Sequence, residues 1–97
     1  MEALFLFQGE EFEWDAEKAQ SNLDKHGVNF EEAVEAFFDP FYQYGNASTP
    51  EEQRDFIIGY TGALRLLLVV YTEQGERTRI ISARPATRAE RNLYESA

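Results

Sequence analysis

The chain has 97 residues, no cysteine and a formal net charge of −9, with 18 acidic and 9 basic side chains. This length fits one domain over residues 1–97, and the missing thiols exclude disulfides and thiolate metal sites and fit a cytoplasmic protein. The acidic balance argues against a protein that tracks nonspecifically along DNA, and no apolar run is long enough to cross a membrane.

The first part of the chain predicts a short strand followed by a helix. Residues 12–14 alternate apolar and acidic side chains, as strands with one buried face do. Asp15 is a good N-cap for a helix over residues 16–26, and Gly27 supplies a stop. The expected buried stripe of this helix is Ala16, Ala19 and Leu23.

A second helix is predicted directly afterwards. Asn29 caps it, its apolar residues fall at helical spacing from Phe30 to Phe38, and Asp39-Pro40 ends it. Residues 41–53 are ambiguous. Their aromatic start, at Phe41, Tyr42 and Tyr44, is compatible with an edge strand, and residues 45–53 resemble a loop.

The second half changes to strand periodicity. Residues 54–60, 64–72 and 77–84 read as three strands, and the short turns between them require antiparallel neighbours. Thr87 and Glu90 have capping-box spacing for a closing helix. The middle strand is apolar on both faces, so both must be covered. We favour cover by the chain's own elements over cover by a partner protein, although exposed apolar patches also mark interfaces.

An arginine cluster is the main chemical signal. Residues 77–91 hold five arginines against one acid, a local charge of +4 in an acidic chain. Guanidinium groups bind phosphate oxygens two at a time, so the cluster favours a phosphate site over simple pairing with the surplus acids. Strand alternation places Arg77 and Arg79 on one face and Arg84 on the other with Ile80. Arg84 and Arg88 then add charge at a helix start, where backbone N–H groups attract anions.

Three further positions carry candidate chemistry. Lys25 and His26 end the first helix, where cations stabilise the helix dipole, so capping is favoured over catalysis by position alone. Glu73 is a candidate general base or a surface residue, and Tyr94 either stacks on a base or packs. A lone histidine without cysteine gives no structural metal site, and no cofactor motif is present.

Two blocks of the chain resemble a known family. The run FEWD at residues 12–15, with Lys18, Asn22 and KHGV at residues 25–28, is similar to the opening of the BrnT family. The run RIISARPAT at residues 79–87, followed by Glu90, Arg91 and Tyr94, is similar to its closing signature. Residues 1–11 extend beyond the usual start and include a possible edge strand at Leu4 to Phe7. Residues 41–53 match nothing in the pattern.

The resemblance implies a small RelE-like α+β domain, with a mostly antiparallel sheet, two N-terminal helices and one C-terminal helix. It implies an RNA-cleaving toxin of a type II toxin–antitoxin pair. Its partner would be a BrnA-type ribbon-helix-helix antitoxin, through which alone it would contact DNA. The alternative is a non-catalytic module that docks an acidic or apolar partner surface. A DNA-binding regulator is disfavoured by the net charge.

On the toxin hypothesis the reaction needs no metal, because RNA supplies its own nucleophile, the 2′-hydroxyl. The expected phosphate-binding residues are Arg79 and Arg84, assisted by Lys25. His26 or Glu73 would transfer protons. The expected RNA-binding residues are Arg77, Arg88 and Tyr94, the last of which would position a base. All of these assignments require the guanidinium groups to converge on one pocket.

Overall fold

The computed structural model describes all residues 1–97 and has the predicted α+β class, with a six-stranded sheet, two helices before most of the strands and one at the end. The elements, in chain order, are β1 (Glu2–Phe7), β2 (Glu10–Asp15), α1 (Ala16–His26), α2 (Phe30–Glu35), a 3-10 segment (Ala36–Phe38), β3 (Gln43–Asn46), β4 (Asp55–Tyr60), β5 (Leu66–Gln74), β6 (Arg77–Pro85) and α3 (Arg88–Glu95).

The observed boundaries lie close to the predicted ones. The second predicted helix tightens into its 3-10 segment after Glu35, and the ambiguous aromatic segment forms its strand two residues later than its first aromatic residue, at Gln43. The strand expected at Leu4 to Phe7 is present as β1. No helix is long and apolar enough to span a bilayer.

The sheet order is β1-β2-β6-β5-β4-β3. Every neighbouring pair is antiparallel except β2 and β6, which run parallel because the two helices carry the chain across the sheet between β2 and the later strands. The parallel pairing is short and covers only Phe12 with Thr78 and Glu13 with Arg79. Beyond Arg79, the edge of β6 that faces β2 has no strand neighbour.

Local signals fix the helix ends. The Asp15 carboxylate accepts from the Lys18 N–H at 3.0 Å, and Gly27 ends α1 in the left-handed region at φ 69°. Thr87 and Glu90 form the predicted capping box at the start of α3. These short-range contacts explain why helix positions were predictable from the sequence.

The two faces of the sheet are covered by different helices. We call the side under α1, α2 and the 3-10 segment the inner face, and the side that carries α3 the outer face. The inner face holds the larger core. Its fully buried side chains include Phe12, Phe30, Ile57, Leu67 and Val69.

A smaller cluster of Ile58, Leu66 and Leu68 lies on the outer face and packs against Tyr94 of α3. Both faces of the apolar middle strand are therefore covered by the chain itself in this region.

Candidate active site

A β-bulge in β6 decides which way its side chains point. In the ladder between β5 and β6, Ser82 faces Val70. The next residue of β5, Tyr71, faces Ile80. Ile81 is therefore an extra residue without a partner, and it breaks the simple alternation of faces along β6.

The bulge places the arginines of β6 on a single face. Ile80 and Ala83 both lie in the inner core, whereas Arg84 pairs with an outer-face leucine. Arg79 also points outward, as its ion pairs with outer-face carboxylates require. The prediction that Arg84 shares a face with Ile80, opposite to Arg77 and Arg79, is wrong, because periodicity alone does not reveal an inserted residue.

Sharing a face does not bring these arginines together. Arg79 donates to Glu2 and, at 2.8 Å, to Glu13, and these bonds raise the pKa of Arg79 further above its ordinary value. Arg77 donates to Glu11 at 2.9 Å, and its bond to that residue likewise raises its pKa. These carboxylates come from β2, which neighbours this end of β6, and from β1 on the far side of β2.

Arg84 has its own partner at the other end of the strand. It forms two parallel hydrogen bonds of 2.8 Å to Glu90, which lower the pKa of that carboxyl against the opposing effect of burial. The start of α3, predicted to bind an anion together with Arg84 and Arg88, is thus occupied by the chain's own Glu90. Arg88 is exposed on the first turn of α3.

The predicted convergence of the arginines on one pocket is therefore wrong. Arg79 and Arg84 are five residues apart, which along a strand corresponds to roughly 16 Å. Each is bound to separate carboxylates. The arginines that are clustered in the sequence form separate ion pairs in the folded chain. They do not form a common phosphate-binding site.

Lys25 and His26 lie beside a cavity that is a better candidate for a phosphate-binding site. This cavity of about 210 Å³ separates their end of α1 from β6, at the bulge. Its lining contains two lysines, one histidine and no carboxylate, although Asp and Glu together outnumber Lys and Arg two to one in the whole chain. The lining residues are Lys18, Ser21, Asn22, Lys25, His26, Ile81 and Ser82.

The face of α1 that borders the cavity is polar. Residues 18, 21, 22 and 25 follow helical spacing along one side of α1. The predicted apolar stripe is buried only in part: Ala16 and Ala19 are half-buried and Ala19 packs against the inner core, but Leu23 is 39% exposed. The one fully buried residue of α1 is Asn22. A polar stripe turned toward the sheet was the signal by which Lys18 and Ser21 could have been recognised as candidate site residues.

Asn22 holds α1 against the open edge of β6. Its side-chain amide donates to the carbonyl of Ala83 at 2.7 Å and accepts from the Ala83 N–H at 3.1 Å. It also donates to the carbonyl of Val28 at 3.0 Å. The amide thus satisfies the backbone groups that a neighbouring strand would otherwise satisfy, and it fixes the distance between the cavity's two walls.

Glu73 is not brought to this cavity. It is exposed near the hairpin end of β5 and lines a cleft of about 390 Å³ with Glu52 and Asp55. No cation of the predicted site lines this cleft.

Tyr94 has a structural set of contacts. Its hydroxyl donates to Asp39 at 2.6 Å, and its ring packs edge-on against Tyr60. Burial, with help from the bond to Asp39, raises the pKa of Tyr94 to about 12. Burial of Asp39 raises the pKa of that carboxyl, but its bonds from the Tyr60 N–H and from Tyr94 outweigh this effect and leave the value lowered.

Comparison with known proteins identifies the family. The family described as "Ribonuclease toxin, BrnT, of type II toxin-antitoxin system" matches residues 14–90. The chain belongs to the BrnT family. No curated protein matches it. Among solved structures, it is similar to the 1.1 Å crystal structure of the Brucella abortus ribonuclease toxin BrnT, with 28% sequence identity and a TM-score of 0.60. That match covers 77% of this chain and 94% of the Brucella chain.

Membership makes this protein a BrnT ribonuclease toxin of a type II toxin–antitoxin system, as the sequence resemblance implied. All residues that line the cavity between α1 and β6 fall inside the matched region, from Lys18 to Ser82. Strand β1 falls outside it.

Proposed function

We propose that this BrnT protein cleaves RNA in the cavity between α1 and β6, and that it does so without a metal ion. One observation carries the choice of site. The cavity gathers Lys18, Lys25 and His26 without a neighbouring carboxylate in its lining, whereas the arginines of β6 are bound to acids. A phosphodiester entering the cavity therefore meets Lys18 and Lys25, neither of which forms a salt bridge with a carboxylate.

The chemistry follows from the substrate. The 2′-hydroxyl of RNA attacks the adjacent phosphorus, a new O–P bond forms, and the bond to the leaving 5′-oxygen breaks. One proton leaves the attacking hydroxyl, and one reaches the leaving oxygen on the opposite side of the phosphorus. We assign removal of the first proton to His26, and water supplies the second. Lys18 and Lys25 stabilise the charge that develops on the phosphorane oxygens.

Arg84 is the arginine that can best assist. It is the next outward-facing residue after Ser82 on β6, and Ser82 lines the cavity. It must release Glu90 to reach a phosphate, so its contribution depends on exchanging one anion for another. Arg77, Arg79 and Glu73 lie toward the other end of the sheet, and we leave them out of the catalytic step.

The test compares the RNA cleavage rates of two variants, each of which lacks one positively charged side chain. Lys25→Ala is expected to lower the single-turnover rate of cleavage of a single-stranded RNA by about 100-fold. Arg77→Ala, which removes a cation at the opposite end of β6, is the matched control and is expected to leave the rate nearly unchanged. If Arg77→Ala is inactive and Lys25→Ala is active, the site is misplaced.

Metal independence has a separate test. Cleavage by the unsubstituted protein is expected to persist in excess EDTA, since the nucleophile and the stabilising cations come from RNA and from protein side chains. A strict requirement for Mg²⁺ would refute this part of the proposal without affecting the position of the site. RNA binding without any cleavage would instead favour a non-catalytic binding module.

We further propose that the antitoxin is a BrnA-type ribbon-helix-helix protein. The toxin's net charge of −9 favours a basic partner surface. Co-expression with an adjacent gene of that class is expected to yield a stable complex in which RNA cleavage is suppressed. An adjacent gene product that neither co-purifies with the toxin nor inhibits it contradicts this assignment.

A further inference from the structure

Strand β1 forms one edge of the sheet: it pairs with β2 along one edge, and its other edge has no neighbouring strand. Leu4 and Leu6 point to the outer face and are 61% and 68% exposed. We propose that a second copy of this chain binds at this edge, with the two β1 strands paired antiparallel so that the two sheets become continuous. This surface is separate from the proposed RNA site and does not depend on it.

Nothing in β1 protects it against such pairing. Proteins usually block an exposed edge with lysine, proline, a bulge or a very short strand. The sequence EALFLF contains neither lysine nor proline, and all six residues pair regularly with β2. The opposite edge is different, because β3 has only four residues and includes Gly45.

Contacts within the chain also keep strand β1 ordered before any second strand binds. Gln8 and Gly9 both have positive φ, at 49° and 82°, which is the type I′ geometry that matches the twist of a two-residue hairpin. At the other end of β1, the Met1 carbonyl accepts from the Ala16 N–H at 2.7 Å. A second strand can therefore add to β1 without first ordering it, and this lowers the entropic cost of association.

The charge distribution favours a second copy over a basic partner at this edge. Glu2 is the one charged side chain within β1, and it is bound to Arg79, which also neutralises Glu13. The strong negative charge of the chain is thus not concentrated on the strand that would meet its copy. An apolar strand with its acid already paired offers little to attract a cationic strand.

One register makes the two strands self-complementary. With Phe5 opposite Phe5 of the second copy, Leu4 lies opposite Leu6 and Ala3 opposite Phe7. Glu2 then faces Gln8, so no like charges are opposed.

The inner face adds a complementary shape. Beside Ala3 lies a groove of about 280 Å³ whose apolar lining includes Trp14, Ala19 and Leu23. In this register, Phe7 of the second copy is placed next to that groove, so a large side chain meets a small one beside an apolar recess.

Two short strands bury less area than the roughly 800 Å² per partner of a typical stable interface. We therefore expect a reversible dimer with a dissociation constant in the micromolar range. Sedimentation velocity of the full chain, from about 1 µM to about 100 µM, is expected to show a rise from the 11.2 kDa monomer toward twice that mass. A chain that stays monomeric over this whole range overturns the proposal.

Matched substitutions locate the interface. Leu4→Lys is expected to weaken association about tenfold or more, because it places a charge on the paired edge. Leu93→Lys makes the same change at a leucine of similar exposure on α3 and is expected to have no effect. Circular dichroism checks that both variants fold. Equal effects of the two substitutions, or none from Leu4→Lys, contradict pairing through β1.

The register has its own test, because the chain contains no cysteine. A mixture of Leu4→Cys and Leu6→Cys copies is expected to form the mixed disulfide faster than either variant forms a disulfide with itself. Preferential self-linkage of either variant would overturn the Phe5-centred register.

Discussion

Asn22→Ala tests the contact that joins the two walls of the cavity. The substitution removes three hydrogen bonds, two to Ala83 and one to Val28, and leaves their backbone groups buried without partners. Because each buried backbone group left without a partner costs about 1 kcal/mol or more, the free energy of unfolding falls by at least about 3 kcal/mol. In a domain of this size, such a loss corresponds to a decrease in melting temperature of roughly 12 to 24 °C.

The assay is thermal unfolding followed by circular dichroism, with Asn92→Ala as the control. Asn92 is exposed on α3, so the same substitution there removes no buried contact and should change the melting temperature little. At a temperature where Asn22→Ala remains folded, RNA cleavage should also fall, because Lys25 and His26 lose their fixed position relative to β6. A melting temperature equal to that of Asn92→Ala would refute the account of Asn22 as the link between α1 and β6.

Two more substitutions separate structural from chemical roles. Tyr94→Phe removes the hydrogen bond to Asp39 and is expected to lower the free energy of unfolding by about 1.5 kcal/mol. RNA cleavage should be unchanged. A variant that has normal stability but no cleavage activity would contradict a structural role for Tyr94. Arg65 donates two hydrogen bonds to Glu32, as Arg84 does to Glu90. These bonds outweigh the effect of burial and lower the pKa of both carboxyl groups, so folding stability should be full above about pH 4.5 and fall as both groups take up protons below it. Urea unfolding at several pH values measures this, and Glu90→Gln should reduce the slope; an unchanged slope argues against the ion pair as its source.

Local features of the fold were predictable because neighbouring residues determine them. Asp15, Gly27 and Thr87 each mark a helix end through contacts within a few positions along the chain. The short turns between the later strands required antiparallel pairing in the same way. Family membership was also recognisable, since the two motif blocks lie in order at the two ends of the region that matches the BrnT family, residues 14–90.

The arginine assignments depended on information that the sequence does not carry locally. Glu13 is 66 residues from Arg79, and it becomes a neighbour only because β2 runs parallel to β6. The bulge at Ile81 places the Arg84 side chain on the outer face of the sheet, and no residue type in the sequence indicates that a bulge is present. Charge counting along the chain therefore identified the cations correctly but could not show that acids from distant strands already bind them.

The candidate site also depends on distant elements. Lys25 and His26 were noted for their position at a helix end, which suggested capping. Their meeting with Ser82 requires the packing of α1 across the open edge of β6, and Asn22 establishes that packing. The buried residue of α1 is an asparagine, and apolar spacing in a sequence does not identify a polar residue at a buried position.

The parallel pairing between β2 and β6 ends after Glu13 and Arg79, and the cavity depends on this early end. Beyond these two residue pairs the edge of β6 is open, and the cavity there is lined by α1 on one side and by Ile81 and Ser82 of β6 on the other. The recess thus follows from the connectivity of the chain, and no residue of segment 41–53, which contains β3, lines it. A change in the length or composition of the loop after β3 should therefore leave the dimensions of the recess unchanged.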